Sequence, residues 1–297
     1  MSNTLEELRG KIGSAEDLES VVRSMKSLAA ASIGQYEKSV RAVGDYFHTV
    51  ELGLYVCLRQ QGREATEIGE RTNTGRVSAV VFGSDQGLVG QFNDVVTSFA
   101  ALALAALPGK KTIWAVGERV HVRLADAGLA PVGLFPVPPS VGAITSLIEQ
   151  VLVETAARRV TEGAGPLYLF YNSPKTGSQY APQSQRLLPL DHIWQQGIRE
   201  IHWPTADLPE AVGGREETLR KLIDEYLFVS LFLACAESLA SENASRLAAM
   251  QRAEKNIDES LMRLHRTFNR QRQSSIDEEL FDVIAGFEAQ TGSQTQT

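Results

Sequence analysis

From about Glu216 to Glu288 the chain has no proline, and its only glycine is Gly286. Apolar residues fall at Leu247, Met250, Ile257, Leu261, Leu264 and Phe268, in steps of three, four or seven, with Glu254 in the one gap. That spacing predicts a coiled-coil seam, which is narrower than the stripe of a globular helix. At 1.5 Å per residue the helix would run to roughly 110 Å. A compact domain of this chain length has a radius of gyration of about 19 Å. Such a helix is expected to protrude from its own domain and to need a partner for its seam. The start of the chain supplies one. Leu5, Leu8, Ile12, Ala15, Val22, Met25 and Ala29 repeat the stepping, which resumes at Tyr36, Val40, Val43, Phe47, Val50 and Leu54. This predicts a helix from about Thr4 to Gln61. Gly10, Gly13, Gly34, Gly44 and Gly53 each weaken it by up to about 1 kcal/mol. A helix with five glycines leans on a partner, and small residues let the partner come close. Two terminal helices with a domain between them pair most simply antiparallel.

Between them the period changes. Arg76–Gly83 and Lys111–Gly117 read as strands, Leu134–Val137 as a third and Leu167–Tyr171 as a fourth. Phe92–Leu107, Glu118–Ala127 and Val141–Val160 read as the intervening helices, and Gln185–Leu190 as an edge strand. Strands alternating with helices predict a mostly parallel, Rossmann-like α/β sheet. The expected fold is therefore α/β plus a long antiparallel coiled coil, with the sheet domain inserted between the paired terminal helices. Its parts are an N-terminal helix (1–61), a linker (62–75), the α/β domain (76–206), a second linker (207–215), the C-terminal helix (216–288) and a disordered polar tail (289–297).

Composition adds little to that picture and removes several alternatives. Of the 297 residues 43% are hydrophobic, enough for a real core, and the net charge of −7 argues against a general nucleic-acid binder. Arg263, His265, Arg266, Arg270 and Arg272 form a basic run, followed by acidic Asp277, Glu278, Glu279 and Asp282. Either a charged partner meets this segregated rod or it is a solvated face. Cys57 and Cys235 lie in apolar helical stretches without metal-ligand spacing, as free buried thiols would. The longest apolar stretch, Tyr226–Ala236, falls well short of the ~20 residues that span a bilayer. Direct membrane insertion is not expected, and no signal peptide is visible at Met1–Arg9.

Candidate chemistry is sparse. Gly83-Ser84-Asp85-Gln86-Gly87-Leu88-Val89-Gly90 follows a strand and precedes a helix, where phosphate-binding loops sit. Its glycine spacing is not that of a dinucleotide fingerprint, however, and no G-K-[ST] follows. A tight turn in which Ser84 or Asp85 caps a helix is the simpler reading. The five histidines are scattered, and no nucleophile elbow or catalytic carboxylate pair stands out. No catalytic residue, metal or cofactor is expected.

Four stretches together resemble the gamma subunit of the rotary F-type ATP synthase. Met25-Lys26-Ser27-Leu28-Ala29-Ala30 is similar to the family's M-K-M-V-A-A. Ser84-Asp85-Gln86-Gly87-Leu88-Val89-Gly90-Gln91-Phe92-Asn93 is similar to its S-D-R-G-L-C-G-G-F-N. Ser238 to Met250 resembles its A-S-E-x-x-A-R-M-x-A-M run, and Asn269 to Ile276 with Glu279 its N-x-x-R-Q-x-x-I-x-x-E. The matches run in order along nearly the whole chain. The departures are also clear. Glu16-Asp17-Leu18-Glu19-Ser20 stands where the family is rich in Lys and Thr, and Ser32 where it often has lysine. Asp277 stands where threonine is common, and Gln86 where arginine is. These mark a divergent member and leave open an alternate type of the enzyme.

The resemblance implies a rotor. The coiled coil would be a shaft inside a ring of alpha and beta subunits. The α/β domain would be a foot on the membrane c-ring and the epsilon subunit. Ion-driven rotation of the c-ring would drive the beta subunits through their catalytic states, at the cytoplasmic face of a bacterial membrane. Catalysis would lie on beta, with none in this chain. Matched to the motifs, Met25, Lys26, Arg272, Gln273 and Asp277 are the expected subunit contacts, with Arg246 and Arg252 weaker candidates. Ile276, Leu280 and Phe287, together with Val283 and Ile284, continue an apolar stripe expected to sit in an apolar collar of the stator. The alternative is that this stripe packs on the N-terminal helix. Ser84, Asp85, Gly87 and Gly90 form the foot-domain turn. Two other classes stay open on residues alone: a coiled-coil tether with a protein-binding α/β domain, and a small-molecule enzyme using the Ser84–Gly90 loop.

Overall fold

The computed structural model describes residues 4–59, 75–163, 165–175, 179–205, 207, 209 and 214–292. The side chains of 162, 215 and 286–292 are outside that description, as are residues 62–74 of the expected first linker and 293–297 of the expected tail. By its internal packing the chain divides into two units. One joins residues 1–28 to 249–297, and the other is Ala29–Ala248.

The long helices α1 (Leu5–Arg59) and α6 (Arg215–Gly292) supply both segments of the first unit and both flanks of the second. α1 opens with a capping box: the Glu7 N–H donates to Thr4 Oγ1 and the Thr4 N–H to Glu7 Oε2, each at 3.2 Å. α6 continues to Gly292, past the expected end at Glu288. The two helices are paired and antiparallel. In the second unit the Phe47 ring meets the Tyr226 ring at 5.4 Å, Tyr46 Oη donates to Glu225 at 2.9 Å, and Gly53 faces Leu222. A Cβ on Gly53 would lie 3.1 Å from both Leu222 methyls, so glycine here lets the backbones approach. The other four glycines of α1 meet nothing within 4 Å. The expectation that all five serve close approach therefore holds only at Gly53.

Between the long helices lies a five-stranded sheet in the order β3-β2-β1-β4-β5. Its strands are β1 (Arg76–Phe82), β2 (Lys110–Val116), β3 (Gly133–Phe135), β4 (Leu167–Pro174) and β5 (Tyr180–Leu188). All neighbours are parallel except β4 and β5. The helices α2 (Phe92–Ala105), α3 (Glu118–Asp126) and α4 (Val141–Glu162) supply the crossovers. Strand alternation gives the sheet two apolar faces. Val77, Ala79, Val81, Ile113 and Ala115 join Val96, Leu104, Val120 and Leu124 of α2 and α3 in one core. Val80, Phe82, Trp114 and Val116 point the other way, into a core shared with α4, α1 and α6. Leu219, Tyr226, Leu231, Phe232 and Leu239 of α6 lie in that second core. This accounts for a stretch more apolar than a two-helix seam requires.

Two elements differ from expectation. β5 begins at Tyr180, well before Gln185, because an edge strand tolerates the polar run and Pro182 that hide it. The helix α5 (His192–Arg199) was not expected at all. Asp191 caps it by accepting the Trp194 N–H at 3.1 Å, and only Gln195 and Ile198 are buried along its eight residues.

Candidate functional site

In the first unit a two-helix seam buries little. Leu8, Ile12, Val22 and Met250 are buried, whereas Ile257, Leu261, Leu264 and Phe268 are half-buried. The gap at Glu254 is filled by chemistry. Lys26 Nζ donates to both Glu254 carboxylate oxygens, at 2.8 and 2.6 Å, and the two side chains are 31% and 22% exposed. Met25, beside it, is half-buried. Arg252, Arg272, Gln273 and Asp277 are exposed.

The Lys26–Glu254 pair also fixes the register. Leu5, where α1 begins, lies 21 residues before Lys26, which sets it opposite about position 275 of α6. Ile276, Leu280, Val283 and Ile284 fall beyond that point and are 45–67% exposed, as is Phe281 at 69%. α1, as described from Leu5, does not run alongside Leu280, Val283 and Ile284. Phe281 lies off the i, i+4, i+7 spacing, and sequence reasoning missed it. The backbone of Phe287 is in α6, but its side chain is outside the described residues.

The loop after β1 lies wholly in the second unit and is held by side chains. Ser84 is fully buried; its N–H donates to Asn93 Oδ1 at 3.0 Å, and Asn93 Nδ2 donates to Ser84 Oγ at 2.8 Å. The Asp85 carboxylate accepts two backbone N–H groups, from Glu118 at 3.0 Å and Val137 at 2.9 Å. Asp85 thus caps α3 and not the helix that follows it. α2 begins at Gln91 without a side-chain cap. Gly117, in the left-handed region at φ 115°, passes so close that a Cβ would sit 2.8 Å from the Ser84 backbone. Gly90 is also left-handed at φ 58°, whereas Gly87 has open space, its nearest neighbour being Arg119 at 4.0 Å. An anion would meet the Asp85 carboxylate, with the Ser84 and Glu118 N–H groups already used. The loop is a structural knot and a poor phosphate cradle.

A family model described as ATP synthase matches residues 4–290. The chain belongs to that family. Among its relatives, the ATP synthase gamma chain of Syntrophus aciditrophicus (strain SB) is 26% identical over 299 residues, covering 96% of this chain and 98% of its own. Its fold is similar to a chain in the OSCP, F1 and c-ring assembly of the Euglena gracilis mitochondrial ATP synthase. That match has a TM-score of 0.67 at 15% identity and covers 98% of this chain and 95% of that one. It is also similar to a chain in the central stalk and c-ring of the Tetrahymena thermophila mitochondrial ATP synthase. There the TM-score is 0.54 at 20% identity, with 78% and 99% covered. The chain is a distant, full-length gamma-subunit homologue, and the gamma subunit is the central rotor stalk.

Within this gamma subunit Arg246 is not a free surface cation. Its Nη2 donates to Glu242 Oε1 at 2.7 Å, one turn back on α6, and the side chains are 14% and 6% exposed. Burial pushes the Glu242 carboxyl up to about 7; Arg246 opposes the shift and the Asp85 charge adds to it. Burial likewise pushes the Cys235 thiol far up, and both cysteines are buried and outside any disulfide. They are not neighbours. Cys57 lies one turn past Gly53, which faces Leu222, while Cys235 lies more than two turns past Tyr226 in the opposite sense along the pair. Sequence reasoning found Arg246 through its motif but not its buried acid partner. The i, i+4 spacing of Glu242 and Arg246 was the available signal.

Proposed function

We propose that this gamma subunit turns inside a ring of alpha and beta subunits and couples ion-driven rotation of the c-ring to catalysis on beta. In this reading the sheet domain (76–206) is the foot, seated on the c-ring and the epsilon subunit. The paired helices, 1–61 and 216–288, are the shaft, and the segments 62–75, 207–215 and 289–297 connect or trail. The chain works at the cytoplasmic face of a bacterial membrane through the c-ring. Among the described residues no helix is long and apolar enough to cross a membrane.

The contact reading rests on one observation: Ile276, Leu280, Val283 and Ile284 are exposed on a length of α6 that α1, as described from Leu5, does not reach. An apolar stripe on a single helix needs cover, and an apolar collar of the stator supplies it. Arg272, Gln273 and Asp277 lie exposed next to the stripe and suit polar contacts with the beta subunits, as does Arg252 further along, while the half-buried Met25 offers an apolar one. Lys26 and Arg246 are engaged within the chain, and for them we propose internal roles.

Reconstitution with alpha and beta subunits and a c-ring in proteoliposomes tests this. The chain should co-purify with the ring and make ATP hydrolysis pump ions. Arg272→Ala with Gln273→Ala should weaken coupling or assembly while the helical circular dichroism stays unchanged. Wild-type turnover and assembly in that double variant would remove the contact assignment. Failure of the unaltered chain to join the ring would remove the rotor reading.

A further inference from the structure

The Ser84–Gly90 loop carries no ligand chemistry, yet hydrogen bonds tie it on several sides. Three of its ties run to that domain. Ser84 and Asn93 hold each other across the start of α2. Asp85 joins the first N–H of α3 to the Val137 N–H beyond β3. Ser84 O accepts the Arg119 N–H of α3 at 2.9 Å. A fourth tie leaves the domain. Ser245 Oγ on α6 donates to Val89 O at 2.6 Å, with both residues buried. Val89 stands between Leu88 at φ 63° and Gly90 at φ 58°. Leu88 is the sole non-glycine residue at positive φ among the described residues, and its side chain is 60% exposed. A leucine in the left-handed region is unfavourable and persists only where its surroundings hold it there. Here the turn buries Val89 and aims its carbonyl at α6. On that helix Ser245 lies beside Glu242 and Arg246, whose buried ion pair stiffens the same turns.

We propose that this loop, clamped to Ser245, is the joint through which torque passes between the sheet domain and α6. The proposal rests on the rotor reading above. The close-packed apolar core between sheet and helix resists separation through many contacts, none of which is directional by itself. A buried hydrogen bond from a fixed side chain to a fixed carbonyl has direction, and it opposes rotation or sliding of the helix relative to the loop. Ser245 is therefore a positioning residue for coupling.

The test is Ser245→Ala and Ser245→Thr in the full chain, assembled with alpha and beta subunits and a c-ring in proteoliposomes. Two quantities are read: amide hydrogen exchange across 84–93, and ions pumped per ATP hydrolysed. Ser245→Ala should speed exchange at the loop about five-fold, the effect of one buried hydrogen bond. It should lower the pumping ratio while hydrolysis continues, and Ser245→Thr, which keeps the hydroxyl, should restore both. Faster exchange with an unchanged ratio would make the bond structural only and overturn the proposal. A lower ratio with unchanged exchange would place the effect elsewhere and also overturn it. If the unaltered chain pumps nothing while its loop is still protected through Ser245, the rotor reading fails and the coupling role fails with it, leaving only the clamp.

Discussion

Glu254 stands where the coiled-coil seam calls for an apolar residue, and Lys26 reaches across the seam from α1 to meet it. Removing either partner measures what that exchange is worth. Charges about 3 Å apart attract by roughly 1.4 kcal/mol in water and about 5 kcal/mol at an effective dielectric of ~20. With side chains 31% and 22% exposed, this pair lies between those limits. Holding a lysine and a glutamate in one rotamer each costs on the order of 2–3 kcal/mol together. Some desolvation adds to that cost. A net of about 1 kcal/mol remains, at the upper end for exposed pairs and below that for buried ones. We expect Lys26→Ala, Glu254→Ala and the double variant to give a coupling energy of about 1 kcal/mol, read as five-fold changes in amide exchange at 250–258. Glu254→Leu should behave differently. It restores the apolar seam and leaves Lys26 able to extend to water, so exchange at 250–258 should slow, with burial contributing about 1–2 kcal/mol. Additive single variants, with no coupling beyond about 0.3 kcal/mol, would show that the ion pair is not what fills the gap. Faster exchange in Glu254→Leu would show that the position is not part of the seam.

Two further outcomes follow from the second unit. Burial holds the folded Glu242 carboxyl up at about 7, above its ordinary value, so the folded state binds the proton more tightly than the unfolded one. The resulting stability is fully present below about pH 4.5 and is lost as pH rises through about 7, a span worth at most about 3 kcal/mol. Denaturant melts of Glu242→Gln should lose this slope between about pH 5 and 7, and a slope equal to that of the parent would refute the assignment. Gly44 meets nothing within 4 Å, whereas a Cβ on Gly53 lies 3.1 Å from Leu222. Gly44→Ala should therefore stabilise by up to about 1 kcal/mol and Gly53→Ala should gain less or destabilise, measured by denaturant melts. Equal gains at both sites would contradict the close approach at Gly53.

What could be read from the sequence divides along physical lines. The seam was legible because burial writes itself as a period of 3.5 along α1 and α6, and the central strands because β1 and β2, buried on both faces, read as short, nearly continuous apolar runs. α5 and β5 were not, because neither depends on a period. α5 is a single capped segment with two buried residues, and β5 is a polar edge strand carrying Pro182. Side-chain roles were harder still. Asp85 was legible as a capping residue, but the helix it caps begins at Glu118, which only the fold brings near.

The same distinction decides how the motif residues are understood. A motif match offers Lys26 and Arg246 as surfaces for another subunit, because in sequence a cation is simply a charge without a partner. The structure supplies the partners, Glu254 across the seam and Glu242 one turn back. Both acids were in plain view, one as a flaw in the heptad pattern and the other inside the A-S-E motif itself. An apparent defect in a hydrophobic pattern is therefore best tested first against the cations that its own coiled coil can deliver. In this chain that test separates two sets of charges. One set is paired inside the chain, Lys26 with Glu254 across the two helices and Arg246 with Glu242 along α6. The other, Arg252, Arg272 and Asp277, stays exposed. Under the rotor reading proposed above, substitutions in the second set should alter coupling while leaving helix stability unchanged.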